Sequence, residues 1–94
     1  RSYRQVAAEL RAKIPEGTPC VAALDVGVPQ RAALHYHAGI RTRPFEPLDP
    51  RACPLVIVQA HPSQTLGPPG AVRLADVGRP GDRAERLRLY RLRK

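Results

Sequence analysis

Four consecutive residues, Leu55-Val56-Ile57-Val58, constrain this chain more than any other feature. Three of them are β-branched, and Pro54 and His61-Pro62 fence the run on either side, so it reads as the strongest β-strand in the sequence. It falls far short of the roughly 20 apolar residues that a transmembrane helix needs. A lone strand is not a stable object, so the rest of the chain must supply the sheet around it.

The neighbours can be read in order. Tyr3, Val6, Ala7, Leu10 and Ile14 recur at three- and four-residue spacing, which places them on one face of a helix. Ser2 can cap that helix, with Gln5 completing a capping box, and Pro15 and Gly17 end it. Cys20 to Val26 then reads as a short buried strand, apolar until Asp25. A second helix follows, with Pro29 in its first turn, Ala32, Ala33, Leu34 and Tyr36 as its apolar surface, and Gly39 as its stop. Thr42 to Phe45 is a short extended piece, and Leu48 to Pro54 is mostly loop. Beyond the central run, Pro62 to Gly70 is a loop, Val72 to Val77 a strand, Gly78 to Asp82 a turn, and Arg86 to Leu92 a return strand. Leu92 breaks the alternation of Leu87 and Leu89, which calls for a bulge or a frayed end. A helix capped by Asp82 with Glu85 competes for this last segment.

The fold class is therefore α/β. We expect a small mixed sheet with a parallel βαβ core, a C-terminal antiparallel hairpin at its edge, and the N-terminal amphipathic helix packed on it. Ninety-four residues fit one domain, 1–94, and with four aromatics and no Trp or Met its core must be built from Ala, Val, Leu and Ile. The chain opens on Arg1 with helical patterning from the outset, so it reads as a soluble segment of a longer protein, and no secretory h-region is visible.

The net charge of +8 sits at the two ends. Residues 1–13 hold four cations against Glu9, residues 79–94 hold seven against Asp82 and Glu85, and the stretch between them balances. Arg1, Arg4, Arg86, Arg88 and Arg91 are the candidates for contact with phosphates of lipid or nucleic acid. The blander reading is a solvated surface, since 14 of the 16 cations are Arg in an Ala- and Pro-rich chain of the kind a GC-rich genome encodes. No RNP-like aromatic motif, Gly-x-x-Gly clamp or helix-turn-helix accompanies the charge, so nucleic-acid binding is the weaker alternative.

Motifs for chemistry are few. No glycine-rich phosphate loop follows the first strand and no Gly-x-Ser-x-Gly elbow exists, so no nucleotide cofactor and no catalytic residue is expected. His35 and His37 sit two apart on a helix, roughly 200° around its axis, and cannot chelate one metal ion together. Asp25 and His61 stand near the C-terminal ends of strands expected to be parallel, where ligands of open α/β sheets bind. They are the candidate ligand-binding pair; in the competing structural reading Asp25 caps the second helix and His61 marks a strand exit. Cys20 and Cys53 have no Cys-x-x-Cys spacing, and they are either two buried thiols or a disulfide.

The segment Ala75-Asp76-Val77-Gly78-Arg79-Pro80-Gly81-Asp82-Arg83, running into Arg88-Leu89-Tyr90-Arg91, resembles the tail of bacterial polytopic membrane glycosyltransferases. That superfamily contains the lipid A 4-amino-4-deoxy-L-arabinose transferase and the dolichyl-phosphate-mannose–protein mannosyltransferases. Ile14-Pro15-Glu16-Gly17, Leu34-His35-Tyr36-His37-Ala38-Gly39 and the central strand agree in order. The resemblance implies a domain after the last transmembrane helix, on the periplasmic face of the inner membrane. Its partners would be the transmembrane part of the same chain, the membrane surface and a lipid-linked sugar. It implies a parent enzyme that moves a sugar from a polyprenyl phosphate to a lipid or protein, with catalytic carboxylates in loops that this chain lacks. The same compartment favours the Cys20–Cys53 bridge, since both residues precede strands that parallel pairing would bring together.

Overall fold

The computed structural model describes residues 3–79, 81–82 and 84–93. Arg1, the capping residue Ser2, Pro80, Arg83 and Lys94 lie outside them. The elements are α1 (Tyr3–Lys13), β1 (Val21–Leu24), α2 (Val28–Ala38), β2 (Thr42–Pro44), β3 (Leu55–Ala60), β4 (Val72–Val77) and β5 (Arg86–Arg91). The strands form one mixed sheet in the order β2-β1-β3-β5-β4. β2, β1 and β3 run parallel, while β5 is antiparallel to both β3 and β4, so the chain has a βαβ core with a hairpin at one edge.

Both helices lie on one face of the sheet. Val6, Ala7 and Leu10 of α1 and Leu34 of α2 pack with Val21, Leu55, Ile57, Val77, Leu87 and Leu89. The alternation of strand side chains explains the partition, since Leu55 and Ile57 join this cluster while Val56 and Val58 belong to the other face. The helix ends where the sequence breaks it. Gly39 takes φ 67°, and its N–H and that of Ile40 donate to the carbonyls of His35 and Leu34, closing a Schellman motif. Tyr36, expected on the apolar surface of α2, is exposed instead. It is two residues from Leu34 and so points to the opposite side of the helix.

The other face is covered by loops. Residues 45–54 and 61–71 lie over it, and its apolar cluster joins Ala22, Cys53, Val56 and Tyr90, with Cys20, Phe45, Val58 and Ala71 around them. Gly67 lies so close to Tyr90 that a Cβ there would stand 2.3 Å from the ring, which is why this loop can seal the face only with a glycine.

Several details differ from the sequence reading. β1 stops at Leu24, because Asp25 adopts φ 58° and turns the chain out of the sheet. β3 runs on to Ala60, because β5 offers partners along its whole length. The irregularity expected near Leu92 falls in β4, where the register slips between Arg73 and Ala75. Leu92 lies just past β5, its N–H donating to the Pro54 carbonyl.

Candidate functional site

Strand pairing brings Asp76 directly opposite Arg88, and both face the loop side of the sheet. Arg88 is only 4% exposed, so its charge must be met by neighbours. Its terminal nitrogens donate to the carbonyls of Gln64 and Pro62, which belong to the overlying loop. Its Nε lies 3.3 Å from Asp76 Oδ1, within ion-pair range but without hydrogen-bond alignment. Arg86 straddles the same residue, donating Nε to Asp76 Oδ1 at 2.9 Å and a terminal nitrogen to the Asp76 carbonyl at 3.0 Å. Arg73 completes the group at 3.5 Å. Burial alone would raise the Asp76 pKa, but Arg86 and Arg88 outweigh it and hold the carboxyl below its ordinary value.

This cluster corrects one expectation. Arg86 and Arg88 do not form an open cationic strand face, because the carboxylate opposite and the loop carbonyls take up their donors. Arg91 is exposed at the end of β5, and Arg4 is exposed on α1. The hairpin register could have revealed the cluster: counting outward across the turn from Val77 and Leu87 sets Asp76 against Arg88.

A second polar group fastens α1 to the hairpin turn. The Tyr3 hydroxyl donates to Glu85, and the Arg79 guanidinium lies 5.0 Å from the centre of the Tyr3 ring while pairing with Asp82 at 3.0 Å. Burial, reinforced by the Glu85 carboxylate, pushes the Tyr3 pKa up to about 12. Arg79 and Asp82 belong to the segment that carries the family resemblance, and in this molecule they shape its turn together with Gly81 at φ 83°.

Asp25 and His61 share no hydrogen bond or ion pair among the described residues. His61 folds into a local turn, with Nδ1 2.7 Å from Ser63 Oγ and accepting the Ser63 N–H at 3.0 Å. Asp25 does not cap α2 either. The cap position is Gly27, which has no side-chain cap, and the Gly27 N–H itself donates to Gln59 Oε1 at 2.8 Å. Gln59 thus spans the crevice between the ends of β1 and β3, a role that composition and spacing gave no sign of. Asp25 instead lines a cleft with Arg31 and Arg43, neither of which the sequence singles out.

Cys20 and Cys53 form a disulfide, their Cα atoms 5.1 Å apart. The geometry follows from parallel pairing, since Val21 and Leu55 are partners and the two cysteines just precede them. His35 accepts from Arg41 Nε, and His37 stacks edge-on against Tyr36, so the two histidines have separate neighbours. Among the described residues, no three His, Cys, Asp or Glu side chains are grouped so as to hold a metal ion, and no helix is long and apolar enough to cross a membrane. No family model matches the chain, and no curated protein or solved structure shows significant similarity to it.

Proposed function

We propose that this chain is a non-catalytic, extracytoplasmic domain from the C-terminal end of a membrane glycosyltransferase. The parent enzyme transfers a sugar from a polyprenyl phosphate to a lipid or protein acceptor, and this domain packs at the periplasmic face of the inner membrane against the transmembrane part of its own chain. The observation that carries the reading is the Cys20–Cys53 disulfide, because such bonds persist in oxidising compartments. The separate settings of Asp25 and His61 are in keeping with this reading, since the two residues share no hydrogen bond or ion pair among the described residues.

The reading is tested on the messenger that encodes Arg1. About ten or more apolar spans of roughly 20 residues are expected upstream, and an initiation codon immediately ahead of Arg1 overturns the proposal. The alternative, a small basic nucleic-acid-binding domain, rests on the remaining cations, Arg91 and Arg93 among them, because Arg86 and Arg88 are engaged by Asp76 and the loop. It requires an affinity that falls steeply with salt, and a filter-binding titration in low and high salt separates the two readings.

A further inference from the structure

The parallel strands β2 and β1 end side by side at the edge of the sheet, with Phe45 N–H donating to the Ala23 carbonyl. Beside these ends lies a cleft of about 240 Å³ lined by Ala23, Asp25, Val26, Arg31, Arg43 and Pro44. Its volume is below the roughly 300–1,000 Å³ of sites for drug-sized ligands, so it suits a small molecule or the head of a larger one. Half of its lining is apolar and half is charged.

The charged half is not satisfied within itself. No ion pair joins Asp25 to Arg31 or Arg43 among the described residues. Among the described residues Arg31 donates only its Nε, to the Val26 carbonyl at 3.3 Å, and that bond holds the base of the guanidinium while leaving both terminal nitrogens without a protein partner there. Asp25 is the one described non-glycine residue with positive φ, a conformation that Asp tolerates better than most residues. The turn it makes sets Asp25 at the strand end, in the cleft that Arg31 and Arg43 also line.

This combination selects its ligand. Two guanidinium forks suit the oxygens of a phosphate. A carboxylate only accepts hydrogen bonds, so it repels a bare anion and welcomes one that brings hydroxyl donors. We propose that the cleft binds the phosphate ester of a small polyol, with Arg31 and Arg43 on the phosphate and Asp25 on the hydroxyls. Such a group could be supplied in solution or displayed as a lipid head group, and the test separates the two sources. The inference is independent of the transferase reading, because the cleft and its ligand stand even if no membrane spans precede Arg1.

The experiment is a titration of the ¹⁵N-labelled chain at low ionic strength with glycerol phosphate and, separately, inorganic phosphate, each to about 10 mM, enough to detect millimolar binding. Glycerol phosphate should shift the amides of Ala23, Val26 and Arg43 saturably, and inorganic phosphate should bind about tenfold more weakly. Asp25→Asn should erase that preference, and Arg31→Ala with Arg43→Ala should abolish binding of both probes. All three side chains are exposed, and unchanged amide shifts in β3 and β5 verify that the variants fold. In the second arm, vesicles of phosphatidylglycerol and of phosphatidylcholine are sedimented with the protein. Capture by phosphatidylglycerol alone, lost in the double arginine variant, assigns the ligand to a head group. Equal binding of the two phosphates, shifts confined to Arg91 and Arg93, or no Arg31- and Arg43-dependent binding in either arm overturns the proposal.

Discussion

The two faces of this sheet are closed by different means. On the helix side, Val6, Ala7, Leu10 and Leu34 meet Leu55, Ile57, Leu87 and Leu89 in a continuous apolar layer. On the other side, two loops containing six prolines and two glycines between them lie over the strands. Loops of that kind bring few apolar side chains, and Leu48 and Leu66 are exposed on them. That face is fastened by other means: a disulfide, the Arg88 bonds to Gln64 and Pro62, and the Asp76 cluster. A helix closes a face through area removed from water, whereas a loop has to be attached at particular points.

The contrast makes graded predictions, each measured as a change in unfolding free energy by urea titration. Leu89→Ala should be the costliest, at about 4 kcal/mol, because it opens a cavity in the layer that neither helix can collapse to fill. Replacing Cys20 and Cys53 by Ser should cost between about 3 and 4 kcal/mol on a chain-entropy basis, the bond closing a sequence separation of 33 residues. Amide exchange in that variant should quicken in residues 45–54 before it does in α1. If α1 and the 45–54 loop exchange together, the two faces are one cooperative unit and the distinction fails.

Asp76→Ala is the smallest of the three, at about 3 kcal/mol, since it strands the buried Arg88 charge while Asp76 itself keeps some contact with water. Its pH signature is more diagnostic than its size. The folded-state pKa of Asp76 is depressed, so its contribution is complete above the ordinary carboxylate value of about 4 and disappears as pH falls through the lower folded value. Asp76→Asn should therefore flatten the acid limb of the stability curve, and an unchanged acid limb would show that the cluster is only a surface network.

How much of this was legible in the sequence follows the same division. The helix face was written in the spacing of Val6, Ala7 and Leu10 and in the Leu87–Leu89 alternation, since periodicity reports a face that is continuously apolar. The loop face was legible only in part: the Cys20–Cys53 bridge is one of the two alternatives the cysteines offer, whereas the bonds from Arg88 to Gln64 and Pro62 join residues far apart in sequence that no spacing pairs. Asp25 stands out in the sequence by its place at the end of a strand, but its companions Arg31 and Arg43 come from a helix and an edge strand that only folding brings near. His61 had the same positional claim and is absorbed into a turn with Ser63.

Gln59 gives the fold a further property. In open α/β sheets the crevice between diverging connections is where ligands are received, and the amides at the entry to the following helix offer donors to an incoming oxygen. Here the chain delivers that oxygen itself, from the Gln59 side chain to the Gly27 N–H. The crevice between β1 and β3 is thus self-liganded, with an amide of the protein in the seat of a guest. Any small molecule binding there would have to displace a tethered competitor whose effective concentration cannot be diluted, which leaves the β1–β2 edge as the more accessible end of these strands.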